Sequence, residues 1–177
     1  MPQCRNIVLC GFMGCGKTTV GRVLAVRTGM PLVDMDDYIE EKAGMTVSEI
    51  FKQHGEDYFR ELEHEAAREL ANRNGCIISA GGGTLVYRRN VDVLREGCRI
   101  VLLEVPLEVI KKRLQDDKKR PLLQRPDKDE AMRELYTKRM PLYRNAAQLT
   151  VNAAQSPYKT AREIIKGLQL KTQRKKR

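Results

Sequence analysis

Residues 11–19 read GFMGCGKTT. The spacing is that of a phosphate-binding loop: Gly11, four residues, then Gly16, Lys17 and Thr18. Before it, Arg5 to Cys10 (RNIVLC) is a short apolar, β-branched run that reads as a buried strand. After it, Val20, Val23, Leu24 and Ala25 fall at helical spacing, and Gly29 ends the run. Strand, glycine-rich turn and helix form the context the motif requires. Gly11, Gly14 and Gly16 let the backbone turn tightly and approach an anion. The freed N–H groups of residues 14–19 (Gly14, Cys15, Gly16, Lys17, Thr18, Thr19) and the helix N-terminus then face phosphate oxygens. Lys17 reaches the β and γ phosphates, and Thr18 offers a hydroxyl to Mg²⁺. A nucleoside triphosphate with Mg²⁺ is the expected ligand.

The chain has 177 residues, the size of one domain with a sizeable core. No apolar run approaches 18 residues, so no membrane span is expected, and the N-terminus lacks the layout of a signal peptide. Cys4, Cys10, Cys15, Cys76 and Cys98 make an odd number without a CxxC pair, which fits a reducing cytosol rather than a disulfide frame or a zinc site. Cys15 is either simply small enough for the loop or an oxidisable switch. The net charge of +10 suggests nucleic acid at first. However, Lys171, Arg174, Lys175, Lys176 and Arg177 carry five of those charges in a tail, 171–177, that has no apolar anchor and is expected to be disordered. With no Trp and few aromatics there is no stacking platform, which argues against a nucleic-acid partner.

Further strands are expected at 31–36, 75–82, 99–105 and 148–153. Helices are expected near 17–28, 36–43, 46–53, 56–73, 88–96, 106–115, 128–144 and 157–169. Alternation of this kind implies an α/β fold, a parallel sheet with helices on both faces. Residues 115–127 (QDDKKRPLLQRPD) are charged, carry two prolines and are expected to form a mobile flap.

Ligands in such sheets bind beyond the C-terminal ends of the strands. There the second strand ends in VDMDD. Asp34 and Asp36 are two apart and, on a strand, would point to the same side. Asp37 alone would cap the helix that follows. The third strand lacks the acid that P-loop enzymes usually place there, so Asp34 is expected to complete the Mg²⁺ shell. Asp36 is then expected to bind and deprotonate an acceptor hydroxyl. Gly81, Gly82 and Gly83 follow that strand and permit close approach to a ligand. Arg60 lies on a helix with Glu63 at i+3, where the two can hold each other. Arg120 sits in the flap, and Arg139 precedes Pro141. Arginines converging on one mouth would suit an acidic acceptor.

The ordered set GFMGCGKTTVGR, PLVDMDDYIE, FKQHGEDYFRELE, SAGGGT, KKRPLL and KRMPLYR, over about residues 6 to 165, resembles the shikimate kinase family. The resemblance implies a five-stranded parallel sheet of the P-loop kinase type, related to the nucleoside monophosphate kinases. It implies a single domain over 1–170 with a mobile lid at about 112–127. The implied reaction transfers the γ-phosphate of ATP to the 3-hydroxyl of shikimate, giving shikimate 3-phosphate and ADP, with Mg²⁺, in a cytoplasmic monomer. By motif position, Lys17 and Thr18 match the phosphate and magnesium residues and Asp34 the metal-shell carboxylate. Asp36 matches the base that binds the shikimate hydroxyls. Arg60 and Arg139 match the carboxylate arginines. Gly81, Gly82, Gly83 and Phe59 fall in the shikimate-contacting segments. Arg120 matches the lid arginine, Arg113 the position of an adenine-stacking arginine, and Pro157 the loop flanking adenine. Three rival readings are another small-molecule P-loop kinase such as gluconate kinase, a nucleotide switch, for which no NKxD-type motif is present, and a basic nucleic-acid-binding module.

Overall fold

A computed structural model describes residues 6–115 and 124–172. Five parallel strands form one sheet: β1 (Asn6–Cys10), β2 (Leu32–Asp34), β3 (Ile77–Ser79), β4 (Cys98–Glu104) and β5 (Leu149–Asn152), in the spatial order β2-β3-β1-β4-β5. The central strand β1 is buried at every position, as its unbroken apolar run requires. It pairs Ile7 with Ile77 on one side and Val8 with Ile100 on the other.

The helices are α1 (Lys17–Thr28), α2 (Met35–Ala43), α3 (Val47–Ala71), α4 (Arg88–Gly97), α5 (Leu107–Leu114), α6 (Lys128–Ala146) and α7 (Pro157–Gly167). The crossover β1-α1-β2 runs one way across the sheet, whereas β2-α3-β3, β3-α4-β4 and β4-α6-β5 run the other. Since such crossovers are right-handed, opposite directions put the helices on opposite faces. The contacts agree: α1 packs with α7, and α3 packs with α4. The sequence-based alternation is thus realised as a two-faced α/β sheet.

Two local features position the site. The two helices expected at 46–53 and 56–73 are one element broken at Gly55, whose φ of 82° and ψ of 178° interrupt the helical path. A Thr46–Glu49 capping box starts the first half. The second half carries Arg60 and Glu63 beneath the β3 turn. The other feature is α2, which begins at Met35 and so shortens the expected strand 31–36 to three residues.

Candidate active site

Gly16, in the left-handed region at φ 95°, is the N-cap of α1, and no side chain caps that end. Ser, Thr, Asp and Asn are the usual caps because they satisfy the orphan N–H groups. Gly16 supplies no such side chain, as an anion site requires. Lys17 Nζ lies back over the loop, donating to the Gly11 carbonyl at 2.9 Å. The Cys15 Sγ lies beneath the same ammonium, 3.7 Å from Lys17 Nζ, and is buried at 1% exposure. A buried thiol of this kind does not suit the oxidisable-switch alternative.

This loop opens on a cleft of about 770 Å³. Gly14, Gly16, Lys17, Thr18, Thr19, Asp34, Asp36, Phe59, Arg60, Gly81, Gly82, Gly83, Arg113 and Arg139, all expected from the sequence, line it. The cleft therefore joins the C-terminal ends of β1, β2 and β3 with α3 and α6. Pro157 begins α7 behind Ser156 and is not among its lining residues. Arg120 and most of the expected flap lie outside the described residues, as does the tail from 173 onward.

The reading of the acidic pair needs correction. Asp34 and Asp36 do not alternate along one strand. Asp34 ends β2 and is itself the N-cap of α2, its Oδ1 accepting from the Asp36 N–H at 3.0 Å. The cap expected of Asp37 belongs to Asp34, and Asp36 sits in the first helical turn. The two carboxylates still reach the same cleft, because the chain turns into a helix between them. Burial, then the charges of Asp34 and Glu63, push Asp36 up to about 6 against the pull of Lys17. That value leaves a carboxylate able to accept a proton near neutrality.

Another wall of the cleft is built around Arg60. Its Nη1 donates to Glu63 Oε2 at 3.0 Å, and its Nε and Nη2 donate to Glu56 Oε1 at 3.2 and 2.9 Å. The Phe59 and Tyr87 rings lie 5.3 and 5.1 Å from its guanidinium carbon. Glu63 is 1% exposed, so this pair is desolvated and geometrically fixed. Arg139 projects from α6 toward Gly82, where an added Cβ would stand 3.4 Å from its Nη1. One turn on, the Tyr143 phenol donates to the Gly82 carbonyl. Burial pushes this phenol up to about 12, with Arg139 pulling the other way. Sequence reading missed Tyr143, although its i+4 spacing from Arg139 in KRMPLYR puts both on one helix face. It also missed Phe51 and Val47, which line the cleft one helical turn apart.

Beside the glycine-rich loop, Arg113 donates to the Gly14 and Cys15 carbonyls at 3.4 Å each and to the Ala153 carbonyl at 2.9 Å. It ties the phosphate loop to the segment between β5 and α7. Among the described residues no group of three or more His, Cys, Asp or Glu converges as a metal cage. A Thr18 hydroxyl and an Asp34 carboxylate in one cleft are nonetheless the kind of hard oxygen donors with which Mg²⁺ is held beside phosphates, since it keeps several waters.

A phosphate loop and a pair of arginines, lining one cleft at the ends of parallel strands, define a P-loop kinase acting on a small molecule. The family model for shikimate kinase matches residues 13–169. A shikimate kinase from Sulfurihydrogenibium sp. is 39% identical over 97% of this chain and 99% of its own length. One from Geobacter sulfurreducens is 46% identical over 80% of this chain and 78% of its own. Among solved structures, the shikimate kinase of Acinetobacter baumannii in complex with shikimate superposes with a TM-score of 0.86 at 37% identity, covering 93% of each chain. A gluconokinase from Sinorhizobium meliloti reaches a TM-score of 0.64 at 22% identity, a likeness of fold alone. The chain belongs to the shikimate kinase family.

Proposed function

We propose that this chain transfers the γ-phosphate of ATP to the 3-hydroxyl of shikimate, with the cleft residues in the following roles. The N–H groups at the start of α1 and the Lys17 ammonium hold the triphosphate. Arg113 packs at the nucleotide end, where Pro157 and the Ala153 segment flank the base. Arg60 and Arg139 grip the acceptor's carboxylate, for which the planar guanidinium fork is suited. Gly81, Gly82 and Gly83 present the backbone against the ring, beside Phe59.

Asp36 accepts the proton of the acceptor hydroxyl as that oxygen bonds to the γ-phosphorus. The bond from the γ-phosphorus to the β–γ bridging oxygen breaks, and ADP leaves with the electron pair. The proton remains on Asp36 until solvent removes it. Such a transfer gains most from alignment and charge neutralisation, and covalent help is not needed. Thr18 and Asp34 would hold Mg²⁺, which when bound supplies charge neutralisation at the phosphates. Arg120, placed in the lid by its motif alone, is assigned to the phosphates.

The single observation that carries this reading is that Arg60 and Arg139 line the same cleft as Lys17. The buried thiols of Cys10, Cys15 and Cys76 support a reducing, cytosolic setting. Among the described residues no helix is long and apolar enough to cross a membrane. We take the working unit to be a monomer with one domain over 1–170. A coupled ADP-release assay with shikimate, quinate, gluconate and nucleoside monophosphates tests the reading. Turnover concentrated on shikimate is expected, and preference for gluconate or a nucleotide would overturn it.

A further inference from the structure

The Gly81–Gly83 turn is held from behind by Thr84 and Asn90, which do not line the cleft. The Thr84 N–H donates to the Gly81 carbonyl at 3.2 Å and closes the turn. The Thr84 hydroxyl donates to Glu63 Oε1 on α3 at 2.7 Å. The Thr84 carbonyl accepts from Asn90 Nδ2 on α4 at 3.0 Å. Since the Asn90 amide nitrogen is committed there, its Oδ1 faces His64 Nδ1 at 2.8 Å, and the imidazole is the donor. Thr84 is 0% exposed and Asn90 1%, and neither lines the cleft.

Glu63 is the hinge of this arrangement. One of its oxygens takes the Thr84 hydroxyl and the other takes Arg60 Nη1. Two groups thus share one buried carboxylate, and the rotamer that suits Thr84 is the one that presents Glu63 to Arg60. Without that hydroxyl, Oε1 is left buried and unpaired, and the carboxylate gains by rotating toward Arg60 or toward water. Either movement shifts the guanidinium. Asn90 acts one step further back, by fixing the height of the Thr84 backbone and with it Gly83, the residue that packs on Arg60.

We propose that Thr84 and Asn90 are positioning residues for acceptor binding, setting the place of Arg60 through Glu63 and through the Gly81–Gly83 turn without touching the acceptor. This rests on the reading of Arg60 as a ligand of the acceptor carboxylate. It makes acceptor affinity depend on a hydroxyl and an amide buried behind the pocket, and it leaves the nucleotide end untouched.

Steady-state kinetics on the full chain, varying shikimate and ATP separately, test it with Thr84→Val, Thr84→Ser, Asn90→Ala and Arg60→Ala. Thr84→Val is expected to raise KM for shikimate about tenfold, the scale of one lost hydrogen bond to a buried charge, with KM for ATP within about twofold. Thr84→Ser, which keeps the hydroxyl, is expected to restore the wild-type value. Where Thr84→Val does not fold, Asn90→Ala leaves the Thr84–Glu63 bond in place and is expected to give the same split. A parallel rise of both KM values in either variant would assign a merely structural role and overturn the proposal. If shikimate KM stays unchanged in Thr84→Val while Arg60→Ala raises it, the proposal fails and the carboxylate grip survives. If Arg60→Ala has no effect on shikimate KM, the grip itself fails and the proposal falls with it.

Discussion

Arg60 lies against Gly83 so closely that a β-carbon on the glycine would stand 2.5 Å from the guanidinium Nη1. Gly83 has φ of −96°, a conformation open to any residue, so space and not backbone freedom demands glycine here. Gly83→Ala should therefore fold normally and push aside the far end of Arg60. A rise of about tenfold in KM for shikimate is expected, with little change in Tm or in KM for ATP. Wild-type acceptor kinetics in this variant would dissociate the turn from the arginine.

The elevated Asp36 carboxyl gives a pH signature. A base must be deprotonated, so kcat/KM is expected to hold above about pH 6 and to fall about tenfold per unit below it. Stability moves the other way. A carboxyl raised above its unfolded value favours the fold fully below about pH 4, and that support is lost as pH rises through about 6. Asp36→Asn should then be more stable than wild type at pH 8, by roughly 1–3 kcal/mol, while retaining ATP binding and losing nearly all transfer. Substantial turnover in Asp36→Asn would remove it as the base, and chemical denaturation at pH 5 and 8 checks the linkage.

Arg139 and Arg60 differ in how they are held, and this separates their variants. Arg60 has Glu56 and Glu63 as fixed partners, whereas Arg139 faces Gly82 and the Tyr143 phenol. Arg139→Lys keeps the charge and loses the planar fork. It should raise KM for shikimate by about ten- to a hundredfold and leave the fold intact. Acceptor titration by intrinsic tyrosine fluorescence measures this directly.

Arg113→Met keeps an unbranched stem and removes three donated hydrogen bonds that join the glycine-rich loop to Ala153. KM for ATP should rise about tenfold, with KM for shikimate unchanged. The reverse pattern would move Arg113 out of the nucleotide end.

Much of this site is legible in the chain because its signals are local. The phosphate loop needs one strand, one turn and one helix in sequence, and all are within residues 6–28. The Arg60–Glu63 pair follows from helical spacing alone. The acidic pair was misread for a physical reason: VDMDD was given a strand's period of two, yet Asp34 is a preferred cap residue and turns the chain into α2 one residue later. The grip on the glycine turn was not legible at all. Tyr143 meets Gly82 across 61 positions of sequence, and Thr84 meets Glu63 across 21. Such contacts exist only once α3, α4 and α6 are packed around β3, and no spacing rule encodes them.

The most direct measurement compares ADP release driven by shikimate with that driven by its methyl ester. The ester keeps the ring and the hydroxyls and removes the charge that Arg60 and Arg139 are proposed to grip. Losing the charge-assisted hydrogen bonds from two guanidinium forks should lower kcat/KM about a hundredfold or more. Comparable turnover of acid and ester would contradict a cleft built to hold a carboxylate beside the nucleotide's terminal phosphate.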